Sequence, residues 1–243
     1  MTSQQRAPAK LNLELRVLGL RPDGSHEVET ILQAIDLADR LSITPAAKST
    51  LVIEGSFPVP PGPDNLVLRA AAEIGLTAHF VLNKVIPPGA GLGGGSSDAA
   101  AVLRASRHPR PELAAVAARL GADVPFFLRG GRARATGRGE VLEAVEVEAC
   151  WYALVWPGYE ISTAAVYAAW DRVGGEGRNH LFRAACSVEQ RLAEFATDLG
   201  EGWVMTGSGS AFFREATTEA EARDQVAGRQ GWTAVAAAVP AWT

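Results

Sequence analysis

Residues 87–98 read Pro-Pro-Gly-Ala-Gly-Leu-Gly-Gly-Gly-Ser-Ser-Asp, with five glycines in the seven positions 89–95. An apolar run, 79–86, precedes this segment and an alanine-rich run follows it. Glycine reaches backbone conformations closed to other residues and lets a ligand approach the main chain closely. A strand that runs through such a loop into a helix leaves a row of bare N–H groups at the helix N-terminus. That arrangement attracts anions, and the helix dipole helps it. Ser96 and Ser97 stand where they could cap the helix or donate to phosphate oxygens. A plain flexible turn with Ser96 as N-cap is the alternative.

Several phosphate loops compete for this pattern. The Walker A loop ends in Gly-Lys-Ser/Thr, and no lysine stands here. The spacing G-x-G-x-x-G is met by Gly89, Gly91 and Gly94. Any glycine-dense loop produces that match, and the dinucleotide fold normally adds a parallel βαβ unit with an acidic residue about 20 positions on. A protein-kinase loop lies between two strands, and no His-Arg-Asp or Asp-Phe-Gly follows here.

Alternation predicts strands at 11–18, 28–37, 41–44 and 51–54, with Arg21-Pro-Asp-Gly24 as a turn. After a proline-rich loop, Asp64 is expected to cap a helix that reaches about Gly75. A strand at 79–86, helices at about Ser96–Arg107 and 111–120, and a Gly/Arg-rich hairpin to about 148 follow. The remainder reads as strand 151–156, helices 163–173 and 179–199, and strands 202–206 and 210–214 flanking a second glycine loop, 207–209. A helix at 217–229 and a strand at 232–239 complete it. Two α+β lobes joined near residue 149 are expected, 1–148 and 149–243.

With 243 residues, 47% of them hydrophobic, the chain can bury a large core. A net charge of −4 speaks against nucleic-acid binding through a broad basic field. The cysteines, Cys150 and Cys186, match no metal spacing, so a reduced, cytoplasmic setting is expected. Met1 to Ala9 lacks an apolar signal core, and no run approaches the ~18 apolar residues of a membrane span. Only Lys10, Lys48 and Lys84 are lysines among the 23 basic residues, a hint that each retained ammonium has a use.

The loop resembles that of the galactokinase, homoserine kinase, mevalonate kinase and phosphomevalonate kinase superfamily. Ala7-Pro-Ala-Lys-Leu-Asn-Leu13, Arg21-Pro-Asp-Gly-Ser-His26, Asp64-Asn-Leu66, Gly121-Ala-Asp-Val-Pro-Phe-Phe127 and Thr206-Gly-Ser-Gly-Ser210 narrow the resemblance to the 4-diphosphocytidyl-2-C-methyl-D-erythritol kinases. These motifs keep the family's order and span nearly the whole chain. The resemblance implies a two-lobed small-molecule kinase fold of the α+β class. Its N-terminal lobe would be like domain 2 of ribosomal protein S5 and its C-terminal lobe a ferredoxin-like α/β sandwich. It also implies phosphorylation, with ATP and Mg2+, of the 2-hydroxyl of a small molecule that carries a cytidine diphosphate, a step of the non-mevalonate isoprenoid pathway. No nucleic-acid or membrane partner is expected.

By the same resemblance Lys10 and Asp123 are catalytic. A carboxylate accepts or orients the hydroxyl proton, and an ammonium favours the alkoxide and the developing phosphoryl charge. On the residues alone, Asp123 is equally a turn aspartate. Pro87, Pro88, Gly89, Ala90, Gly91, Leu92, Gly93, Gly94, Gly95, Ser96 and Ser97, with Asn65 and the loop Gly207, Ser208 and Gly209, are expected at ATP, and Ser97 also at the metal. Asn12, His26, Thr163 and Tyr167 are expected at the substrate, with Tyr167 stacking on cytosine. There are two departures. The family's tyrosine before His26 is Ser25, which removes one aromatic wall and keeps open a same-fold kinase of homoserine or mevalonate type. The family's Asn-Asp-Leu is Asn179-His180-Leu181.

Overall fold

Two long antiparallel strands, β1 (Ser3–Leu20) and β2 (His26–Pro45), organise the molecule, joined by the turn at Arg21–Ser25. The structure is a computed structural model that describes residues 1–106 and 108–242. β3 (Thr50–Gly55) runs parallel to β4 (Ala78–Lys84), and β4 pairs with the C-terminal half of β2. β5 (Arg132–Thr136) pairs with the N-terminal half of β2 and with β6 (Val141–Val145), which closes a six-stranded sheet.

One face of this sheet is covered by α1 (Leu66–Glu73), α2 (Gly94–Ala105), α3 (Arg110–Leu120) and α4 (Val124–Arg129). Ala99 to Leu103 of α2 are all buried, and the small alanines let the helix lie close to β1. The second sheet holds β7 (Trp151–Trp156), β8 (Val204–Met205), β9 (Phe212–Ala216) and β10 (Trp232–Ala237) in the order β10-β7-β9-β8. Helices α5 (Thr163–Val173), α6 (Phe182–Val188) and α7 (Arg191–Leu199) precede β8, and α8 (Glu219–Val226) precedes β10. That strand order and the helix placement are those of a ferredoxin-like sandwich.

A bulge sets the direction of the first strand. The β1–β2 register shifts between Pro8 and Lys10. Ala7 packs into the helical core of the first sheet, whereas Ala9, Leu11 and Leu13 pack against Tyr152, Leu154 and Phe213 of the second. Lys10 and Asn12 alternate with these apolar residues and therefore share one side of the strand. Residues 238–242 return to the first sheet, where Val239 N donates to the Ala34 carbonyl (3.0 Å) and Trp242 N to that of Arg129 (2.9 Å).

Several expected boundaries move, each for a physical reason. The strands expected at 28–37 and 41–44 are one strand, because Asp39 is buried in an ion pair and does not mark a break. Asn65, not Asp64, caps α1 through its side-chain oxygen on Val67 N (3.0 Å). Helix α2 starts at Gly94 behind Gly93, whose φ of 71° is left-handed, so neither Ser96 nor Ser97 is its cap. The expected end of that helix at Arg107 lies outside the described residues. The six-residue α4 follows Asp123 directly, with Pro125 in its first turn, where a missing N–H costs nothing. The helix expected over 179–199 breaks at Glu189, which is extended and turns its carboxylate onto Arg191 N (3.2 Å). Cys150 and Cys186 are free thiols. Among the described residues, no helix is long and apolar enough to cross a membrane.

Candidate active site

The two glycine loops interlock. Ala211 N donates to the Ala90 carbonyl (3.0 Å), and Gly91 packs on the backbone of the second loop. A Cβ on Gly91, whose φ is +79°, would lie 2.2 Å from the Thr206 carbonyl oxygen, so only glycine fits there. Ser97 N bonds back to the Gly93 carbonyl (2.9 Å), which leaves the preceding first-turn amides of α2 facing the loop. Both loops border a cleft of about 850 Å³.

Lys10 stands at the meeting point. Its Nζ donates to Asn12 Oδ1 (2.5 Å) and to the Gly91 carbonyl (2.8 Å), and lies 3.7 Å from Asp123 Oδ2. Asn12 in turn donates from Nδ2 to Thr30 Oγ1 (2.8 Å), and its backbone N–H reaches Thr206 Oγ1 (2.9 Å). Burial pushes the Lys10 ammonium below the ordinary lysine range, and the Asp123 carboxylate pulls it partly back. The Asp123 side chain is 35% exposed, so its carboxylate faces the cleft.

At the far end, His26 Nε2 is 2.8 Å from Asp171 Oδ1. The His26 ring stacks on Tyr167 at 4.8 Å between centroids and meets the edge of Trp170 at 5.8 Å. Burial, with a smaller contribution from Asp123, pushes the Tyr167 phenol up to about 12, which keeps it a neutral O–H donor. Thr163 Oγ1 and Ser208 Oγ are 2.8 Å apart, which ties α5 to the second glycine loop. Ser25 is occupied with Asp23, through both its backbone N–H (3.0 Å) and its hydroxyl (2.5 Å).

Residues singled out in advance thus converge. Lys10, Asn12, His26, Asn65, Asp123, Thr163, Tyr167, Gly207, Ser208 and the run Pro87–Ser96 all line the one cleft. Two do not reach its wall. Gly209 lies behind it against the Met205 side chain, and Ser97 is fully buried with its Oγ unpartnered. Beside Ser25, which lacks the family's tyrosine ring, the His26 ring stacks on Tyr167.

Other residues escaped notice. Lys84 Nζ donates to Asp39 Oδ2 (2.5 Å) and Asp98 Oδ2 (2.9 Å), buried beneath the glycine loop. Asp39 Oδ1 also accepts from the amides of Val85 (2.6 Å) and Ile86 (2.9 Å), whereas Asp98 Oδ1 has no partner. Burial pushes Asp98 up to about 7, against the pull of Lys84. Lys84 itself is disfavoured by burial but raised overall by its two carboxylates. The scarcity of lysine was the one signal that pointed here.

Asn179, named from the sequence only as part of a family motif and given no role there, is a second bracing residue. Its Nδ2 donates to the carbonyls of Met205 (2.7 Å) and Gly207 (2.9 Å), and its Oδ1 accepts from Leu181 N (2.9 Å). The adjoining His180 accepts from Val17 N through Nδ1 (3.3 Å), while His180 N donates to the Leu15 carbonyl (2.9 Å). The histidine in place of the family's aspartate is thus a clasp on β1.

Residues 65–131 match the model of the GHMP kinases N terminal domain. A 4-diphosphocytidyl-2-C-methyl-D-erythritol kinase of Exiguobacterium sibiricum is 38% identical over 93% of this chain and 92% of its own length. One of Hahella chejuensis is 40% identical over 67% of this chain and 62% of its own. A crystal structure of 4-(cytidine 5'-diphospho)-2C-methyl-D-erythritol kinase superposes with a TM-score of 0.80 at 35% identity, covering 98% of this chain and 100% of that one.

Proposed function

Because the chain belongs to the 4-diphosphocytidyl-2-C-methyl-D-erythritol kinases, we propose that it transfers the γ-phosphoryl group of ATP to the 2-hydroxyl of that cytidylated diphosphate, in the non-mevalonate isoprenoid pathway. The observation that carries the reading is the pairing of Lys10 with Asp123, 3.7 Å apart, at the mouth of two interlocked glycine loops.

In this reading the first-turn amides of α2 and the backbone of residues 87–95 hold the triphosphate, with Gly207 and Ser208 closing over it. Asn65 borders the adenine. Asp123 orients the acceptor hydroxyl and takes its proton as the oxygen attacks phosphorus. Lys10, held by Asn12 and Gly91, balances the charge that develops on the attacking and equatorial oxygens. The low polarity that depresses the Lys10 ammonium also strengthens its field on the phosphoryl group. Asn12 and Thr163 face the erythritol end, and Tyr167 with His26 the cytosine.

Magnesium neutralises the β- and γ-phosphates when bound with ATP. Among the described residues no cluster of three or more metal-binding side chains occurs, which suits an ion held chiefly by phosphate and water. The Ser96 hydroxyl and the Asp123 carboxylate, both on the cleft wall, fit as oxygen donors, whereas Ser97, expected at the metal, is buried behind that wall.

Residues 1–148 are proposed as the ATP-binding and catalytic lobe and 149–243 as the substrate lobe, in a protein that works on water-soluble substrates in the cytoplasm. Release of ADP on adding the cytidylated substrate tests the function. No release, together with phosphorylation of homoserine or mevalonate, would overturn it.

A further inference from the structure

The turn between β5 and β6 carries Arg138 into the cleft between its two working ends. Gly137 and Gly139, with φ of +75° and +114°, shape the turn, and Gly137 N donates to Glu27 Oε1 (3.2 Å) while its carbonyl accepts from Val28 N (2.7 Å). A Cβ on Gly139 would lie 4.0 Å from that of Ala122, the neighbour of Asp123. On the other side, Asp23 of the turn before His26 is held low first by the Ser25 hydrogen bonds, and the guanidinium charges of Arg21 and Arg138 add to this. Arg138 therefore stands between the phosphoryl-transfer end and the nucleobase end.

Its charge is also available. Lys10 is buried and donates to Asn12 and Gly91, Lys84 is buried between Asp39 and Asp98, and His26 is paired with Asp171. The Arg138 side chain is 46% exposed, and its Nε is 3.8 Å from Glu140 Oε1, beyond hydrogen-bond reach. The other Glu140 oxygen accepts from the backbone N–H of Arg138 (2.6 Å), which holds the turn without occupying the guanidinium. Among the described cleft-lining residues, Arg138 is the cation whose side chain makes no hydrogen bond.

We propose that Arg138 binds the diphosphate that joins cytidine to the sugar alcohol of the substrate. The inference rests on the functional reading above. In that substrate the diphosphate lies between the base and the hydroxyl that is phosphorylated, which is where Arg138 stands. A guanidinium fork matches two phosphate oxygens at once, and the half-exposed position lets it leave Glu140 when the anion arrives.

Binding of cytidine diphosphate and of cytidine to the wild-type protein and to Arg138→Ala and Arg138→Lys tests this by calorimetry. Arg138→Ala should weaken cytidine diphosphate about tenfold or more and leave cytidine within about twofold, with Arg138→Lys in between. Unchanged affinity for cytidine diphosphate in Arg138→Ala, or equal weakening of both ligands, overturns the inference. So does a wild-type protein that binds the diphosphate no tighter than the nucleoside. The functional reading fails separately, if the wild-type protein does not phosphorylate the cytidylated substrate.

Discussion

Lys10 Nζ and Asp123 Oδ2 lie 3.7 Å apart, one side chain buried and the other open to the cleft. The pair is too far apart for a hydrogen bond and close enough to share one acceptor oxygen. Asp123→Asn keeps the shape and removes the proton acceptor. It should lower kcat by about 10²–10⁴-fold while the Kd for ATP stays within about twofold. Single-turnover phosphoryl transfer and ATP titration check both parts, and an unchanged kcat would remove Asp123 from the mechanism.

Gly91→Ala tests the interlock of the loops. The new methyl meets the Thr206 carbonyl oxygen at 2.2 Å in a left-handed conformation. A cost of about 3 kcal/mol is expected, together with weaker ATP binding. Gly24→Ala, also left-handed at φ +81° but with nothing within 4 Å, should cost only about 1 kcal/mol. Urea melts of the two variants separate the clash from the dihedral strain, since equal losses would mean that the contact is harmless.

Asn179→Ala strands two buried carbonyls and the Leu181 amide. It should destabilise the protein by about 2–4 kcal/mol and loosen the second glycine loop. Faster amide exchange at 206–209, measured below the unfolding midpoint, is the expected signature. Global destabilisation without local exchange there would assign Asn179 a purely packing role.

Asp98 gives a pH effect whose sign follows from its raised pKa. The folded state holds the Asp98 proton up to about 7, the unfolded chain only to the ordinary aspartate value of 3.8. Its contribution to stability is therefore full below the lower value and falls as pH rises to the upper one, by up to about 1.4 kcal/mol per pH unit. Asp98→Asn does not titrate. Its stability relative to wild type should improve by about 1–2 kcal/mol between pH 5.5 and 8, read from thermal or urea unfolding of both proteins. A difference that does not change with pH would mean that Asp98 is ionised throughout.

Local chemistry was the part of this molecule legible from sequence. The glycine run, the turn at Arg21–Gly24 and helix α5 appear where residue type demands them, since each is decided within a few positions. What escaped depends on partners distant in the chain. Asp39 reads as a polar break in a strand because its counter-charge, Lys84, is on another strand. Glu189 splits an apparently continuous helical pattern through a carboxylate that turns back on Arg191. Of the candidate site, the residues that line the cleft announce themselves by type. Those that brace them, Asn179, Thr30 and the Asp39–Lys84–Asp98 cluster, look ordinary until the fold brings them under the loops.

The bond from Asn12 N to Thr206 Oγ1 spans 194 residues. The first hairpin can pair as soon as β2 has left the ribosome, because its two strands are neighbours in the chain. The cleft cannot. A nascent chain that has not yet delivered residues 204–211 holds its glycine run without the ridge on which Gly91 rests. The cleft is therefore completed only after residues 204–211 have been made, however early the first hairpin pairs.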